Sequence, residues 1–220
     1  MYNNCNMVKI GNNRGVAMLH ILNTLEREFS KEFIEFSKFG MDSIESEYIL
    51  RILDVGNTNS YGNRDHLTFE GNNLKFEDRI FRFFEDIFKL NGNSVFVGNF
   101  NISAMDNMKL LYMLRDLDYK DSIKLINILR SHIRDEEVYK VTDYEVFKML
   151  LTLCTREIHF SSFYFNKIDI MVFNHYDLST LMFFKDKNHI NTYVQLAKVN
   201  DLNLMERDVQ LREKSVIETF

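Results

Sequence analysis

The chain has 220 residues, 45% of them apolar and 27% charged, with 20 Phe, eight Gly, two Cys and neither Pro nor Trp. That is enough chain to bury a domain core and too much aromatic content for a disordered segment. No apolar run approaches the roughly 18 residues that a membrane-spanning helix needs. Lys and Arg total 27 against 32 Asp and Glu, a formal charge of −5 with the two signs interspersed and no basic run. Broad binding to a phosphate backbone is therefore not expected, and neither nucleic acid nor membrane is an expected partner.

The opening residues MYNNCNMVKIGNN lack the apolar stretch of a secretory signal. Cys5 and Cys154 are too few for a disulfide framework or a zinc site, so a reducing, cytoplasmic setting is expected. Abundant Asn, Ile, Lys and Phe without Pro is the composition of AT-rich coding sequence, as in low-GC bacteria, their phages and several large DNA viruses.

Val16, Leu19, Leu22, Leu25 and Phe29 recur near helical period and predict a helix over residues 14–29, capped by Asn12 or Asn13. Ser30 starts a second helix with Phe33, Ile34 and Phe36 inside, and Gly40 stops it. A third helix, from Asp42 or Ser43 to Leu53, carries Ile44, Tyr48, Ile49 and Ile52. Three short helices resemble a helix-turn-helix, but Glu45 and Glu47 on the last one oppose DNA reading, and a helical packing unit is the preferred expectation. Asp54 to Asn73 reads as a long polar loop with a short strand at His66–Phe69.

A strong helix follows from Phe76 to Leu90, with Ile80, Phe83, Phe84, Ile87 and Phe88 on one side and Asn91, Gly92 and Asn93 ending it. Ser94 to Ser103 predicts a strand, and Met105–Leu117 and Ser122–Ile133 predict amphipathic helices. Beyond the charged break 134–137, a helix over 143–156 precedes three β-rich runs at 158–165, 168–173 and 178–184, an antiparallel meander. His189–Val199 closes the pattern as a helix, and 205–220 is a charged tail, helical or frayed. The expected architecture is a single α+β domain over 1–220, with about seven helices and a small, mostly antiparallel sheet of four or five strands. Its soft internal boundary lies near residue 135: mainly helical before it, then helix, meander and helix to 206, and the tail 207–220.

Two tetrads suggest chemistry: His66-Leu67-Thr68-Phe69, and His159-Phe160-Ser161 followed by Ser162 and Phe163. In a strand the imidazole and the hydroxyl two positions on point the same way. Paired on neighbouring strands, they would set two bases and two hydroxyls around one phosphate. The pattern resembles the two-histidine phosphoesterases. That resemblance implies His66 and His159 as acid and base, Thr68 and Ser161 as phosphate holders, and a small or cyclic nucleotide as substrate. The bland alternative is a loop His66 and a strand His159, each bonded locally.

Glu157, His159, Asp169, His175 and Asp177 supply metal-ligand chemistry in the β-rich segment, but without a diagnostic spacing, so no metal and no other cofactor is expected. Cys154 reads as core, Cys5 as an ordinary thiol, and the segment Gly11–Gly15 lacks the Lys-Ser/Thr of a phosphate loop. What remains is aromatic surface. Helix 76–90 is apolar over more than one face, and the meander carries aromatics on both of its faces. The leading expectation is a non-enzymatic interaction module that binds another protein through Phe81, Phe84 and Phe88. It would act as an accessory subunit or an inhibitor of phage, viral or mobile defence-element origin.

Overall fold

The computed structural model describes residues 19–20, 33, 48–55, 69–100, 105–130, 138–174, 178 and 180–206, with side chains of the first long helix from residue 76 onward. Eight strands form one antiparallel sheet in the order β1-β4-β3-β5-β6-β7-β2-β8. They are β1 (Leu19–His20), β2 (Ile49–Asp54), β3 (Val95–Gly98), β4 (Val138–Val141), β5 (Ser162–Phe165), β6 (Ile170–Asn174), β7 (Thr180–Phe184) and β8 (Asn203–Glu206). Five helices accompany them among the described residues: α1 (Phe69–Leu90), α2 (Asn107–Asp116), α3 (Tyr119–Arg130), α4 (Tyr144–Thr155) and α5 (Lys187–Val199). The chain is an α+β domain, and its sheet draws strands from both sides of residue 135.

Alternation divides the inner strands between two cores. Val95, Val97, Phe163, Phe165, Ile170, Val172, Met182 and Phe184 face the helices. Phe96, Tyr164, Met171 and Phe183 line the other face together with Leu50, Val138 and Phe33. On the helix side, Phe147 of α4 is the hub. Its ring stands edge-on to Phe163 at 5.0 Å and to Phe84 at 6.1 Å, and stacks on Phe88 at 5.6 Å. On the opposite face the Phe33 ring stacks on Tyr164 at 5.7 Å, and a Cβ placed on Gly98 would meet it at 2.7 Å. Gly98 is thus the notch that lets an aromatic ring lie flat on the sheet.

The helix ends follow local chemistry. Asp106, Asp143 and Asp186 cap α2, α4 and α5 through their carboxylates. Gly92 and Asn93 take left-handed φ values of 76° and 56° to end α1, where the Asn93 N–H donates to the Phe88 carbonyl at 2.9 Å.

Several expected elements are corrected. Ile49–Asp54 is a strand, not the end of a third helix, because five residue pairs tie it to β7 and four to β8. Its apolar residues serve both faces of the sheet, and in so short a run that pattern mimics helical spacing. Leu19–His20, expected within a helix, pair with Val141 and Lys140 of β4. Helix α1 begins at Phe69 rather than 76, so the strand and polar loop expected up to Asn73 give way to helix there. β4 lies just after the charged break 134–137, where no element was expected, and β8 runs from Asn203 into the start of the expected charged tail, which brings the sheet to eight strands rather than four or five.

Candidate functional site

Phe81, Phe84 and Phe88, the expected partner-binding residues, lie in the main core at 8%, 0% and 2% exposure. All three are corrected from contact surface to packing. α1 is apolar over more than one face because it meets α4, α5 and the sheet at once, so its extra phenylalanines are already covered. The edge of Phe81 reaches a 530 Å³ groove between α1 and α4, where the Lys148 ammonium sits 5.1 Å from its ring centroid. Arg82 and Lys148 in that groove are balanced by Asp78, Glu85 and Glu145.

The second candidate lies at one end of the sheet, where β3 leaves and β5 begins. His66 and Thr68 are outside the described residues. His159 and Ser161 are not in a strand but in the turn between α4 and β5, and both are buried. The Phe100 ring lies 5.4 Å from the imidazole. Burial pulls the His159 pKa down to about 4, the nearby Lys109 charge adds to the fall, and a hydrogen bond with the Asn99 backbone opposes it. Its Nε2 has no partner among the described residues, and neither has Ser161 Oγ.

Around this pair the strand ends are knitted together. Asn99, at φ 59°, donates from Nδ2 to Ser162 Oγ at 2.7 Å. Asn174 Nδ2 donates to the Ser161 carbonyl at 3.0 Å, and Thr180 Oγ1 donates to Asn174 Oδ1 at 3.3 Å. Cys154 is core as expected, its thiol pushed up to about 12 by burial and its sulfur 3.3 Å from the Ser161 N–H that donates to it. A neutral, enclosed imidazole can accept a hydrogen bond, but both bare atoms here are sealed from solvent.

The described members of the metal constellation do not converge. Asp169 sits in the β5–β6 turn at the opposite end of β5 from His159 and accepts a 2.6 Å hydrogen bond from Tyr164 Oη. His175 and Asp177 are outside the described residues, among which no group of three or more His, Cys, Asp and Glu side chains converges.

The third candidate was missed in the sequence. Leu110, Met113, Leu114 and Leu117 turn α2 toward the core. Met108, Leu111 and Tyr112 stand on the opposite face at i, i+3 and i+4, exposed by 57%, 58% and 48%. A two-residue turn leads to α3, where Leu125 and Ile128 are buried while Tyr119 and Ile123 are exposed by 81% and 40%. The signal in the sequence was a helix apolar on two opposite faces, a pattern that also fits a fully buried helix. No family model, curated protein or solved structure matches this chain.

Proposed function

We propose that the chain is a non-enzymatic protein-interaction module, an accessory subunit or inhibitor, that meets its partner through the outer face of α2 and α3. One observation carries this reading. Five large apolar side chains, Met108, Leu111, Tyr112, Tyr119 and Ile123, stand in water on two consecutive helices whose other faces already serve the core. Single exposed apolar residues need no explanation, whereas a row at helical spacing fits helix-in-groove contacts.

The test is the double substitution Leu111→Asp with Tyr112→Asp in the full chain. Both residues contact solvent, so melting stays within about 2 °C of the parent while a partner recovered by affinity capture is lost. Phe84→Asp serves as the unfolding control, since that side chain is wholly buried. Loss of folding in the double variant, or retention of the same partner, refutes the proposal.

The phosphodiesterase alternative, with His66, Thr68, His159 and Ser161, rests on the Nε2 of His159 and Oγ of Ser161, which have no partner among the described residues, and it requires a substrate to reach two enclosed atoms. Turnover of a cyclic nucleotide that disappears in His159→Ala would favour it over the module.

A further inference from the structure

The end of α1 carries the only Asn-Gly pair of the chain, Asn91-Gly92. Glycine puts no side chain beside its amide nitrogen, so that nitrogen readily reaches the Cγ of a preceding Asn, and an Asn-Gly pair loses its side-chain amide more easily than other Asn pairs. The fold holds this pair out of reaction. Asn91 is buried at 2% exposure. Its Nδ2, the group that would leave, donates to the Ile87 carbonyl at 2.9 Å and to the Tyr193 hydroxyl at 3.0 Å. The attacking nitrogen is engaged as well, since the Gly92 N–H donates to the Lys89 carbonyl at 3.1 Å. Asn91 Oδ1 has no hydrogen-bond partner among the described residues, so negative charge developing there would meet no donor in a site closed to solvent. Tyr193 is wholly buried and belongs to α5, so the closure depends on α5 lying against the end of α1.

We propose that Asn91-Gly92 is a self-modification site gated by α5, silent while Tyr193 is docked and converted to aspartate or isoaspartate when α5 lifts away. The step needs no reagent but water. The Gly92 nitrogen gives up its proton and bonds to Asn91 Cγ, the Cγ–Nδ2 bond breaks, and ammonia leaves with that proton as a succinimide ring closes. Water then opens the ring at the bond from nitrogen to Cγ, which gives Asp, or at the bond from nitrogen to the backbone carbonyl carbon, which gives isoaspartate. Neither product fits the closed site. An Asp carboxylate would set an acceptor against the Ile87 carbonyl and bury a charge where Nδ2 had donated. Isoaspartate adds a main-chain carbon to the turn in which the Asn91, Gly92 and Asn93 N–H groups donate to the Ile87, Lys89 and Phe88 carbonyls. A long enough undocking of α5 is thereby recorded covalently, and the chain does not return to its native state.

The test ages the full chain in mildly alkaline buffer, folded and in urea, and follows the amide-to-acid mass change at residue 91 by peptide fragmentation. Conversion should be slower in the folded chain by about a hundredfold or more, because openings at a buried helix end are rare. Tyr193→Phe keeps the ring and removes one acceptor from Nδ2, so its folded chain should convert about fivefold faster, the shift in opening that one lost hydrogen bond brings. Urea-aged chain should refold in a yield that falls as conversion rises, and Asn91→Asp made directly should show the same defect. Equal rates in buffer and in urea, or a folded Tyr193→Phe chain that converts at the parent rate, overturn the gate. If Tyr193→Phe does not fold, the comparison of parent chain in buffer and in urea decides alone. Aged chain or Asn91→Asp that refolds and melts like the parent overturns the covalent record.

Discussion

Glu77→Ala should be one of the most costly single changes on the helix layer. Glu77 is 7% exposed, and its Oε1 accepts from Thr155 Oγ1 at 2.7 Å and from Arg156 Nε at 3.1 Å. Its Oε2 accepts from Arg156 Nη2 at 3.0 Å, completing a two-point carboxylate–guanidinium fork. Arg156 also donates through Nη1 to the Asp116 carbonyl, so one guanidinium ties α1 and α4 to the end of α2. Removing one partner of a fully buried pair costs about 3–5 kcal/mol. The Arg156 side chain is 31% exposed, so water can recover part of its solvation, and the expected loss is about 2–3 kcal/mol. For a chain of this length that lowers the melting temperature by about 5–10 °C.

The assay is urea and thermal denaturation of Glu77→Ala beside the double variant Glu77→Leu with Arg156→Met. The double variant, which leaves no buried charge alone, should recover most of the loss. A loss below about 0.5 kcal/mol in Glu77→Ala, or a double variant worse than the single, would refute the reasoning.

Two further perturbations test the sheet. His159 titrates near 4 in the folded chain because burial disfavours its cation, whereas an unfolded imidazole takes its proton near pH 6.5. The unfolded state therefore binds the extra proton as pH falls from about 6.5 to 4, and stability drops across that window by up to about 3 kcal/mol. His159→Phe should flatten that part of the stability–pH curve; an unchanged slope would show that other groups set it. Gly98→Ala drives a methyl into the Phe33 ring and should cost about 1–3 kcal/mol, with a smaller increment when Phe33→Ala is already present. Full additivity would place Phe33 away from Gly98.

How much could be read from the sequence depended on whether the signal was local. α4 was legible from its apolar run over 143–156, and the meander β5–β6–β7 from β-rich runs spaced by turn residues, with Asn166-Lys167 between the first two. β2 was not, because Ile49, Leu50, Ile52 and Leu53 serve both faces of a strand enclosed by β7 and β8, and that pattern looks the same in a buried helix. The candidate surface was misplaced for a related reason. α1 and α2 both carry apolar residues beyond one face, and composition cannot say which surplus is covered.

The sequence by itself determined an α+β chain with β-rich runs, amphipathic helices and a net charge of −5. Only the tertiary structure decided that the phenylalanines of α1 are enclosed by α4, α5 and the sheet while Met108, Leu111 and Tyr112 of α2 stay in water. It alone parted Asp169 from His159, at opposite ends of β5. The physical reason is that burial and convergence are properties of distant neighbours. Helical and strand periods fix which residues share a face, but what covers that face is set by contacts far apart in the chain.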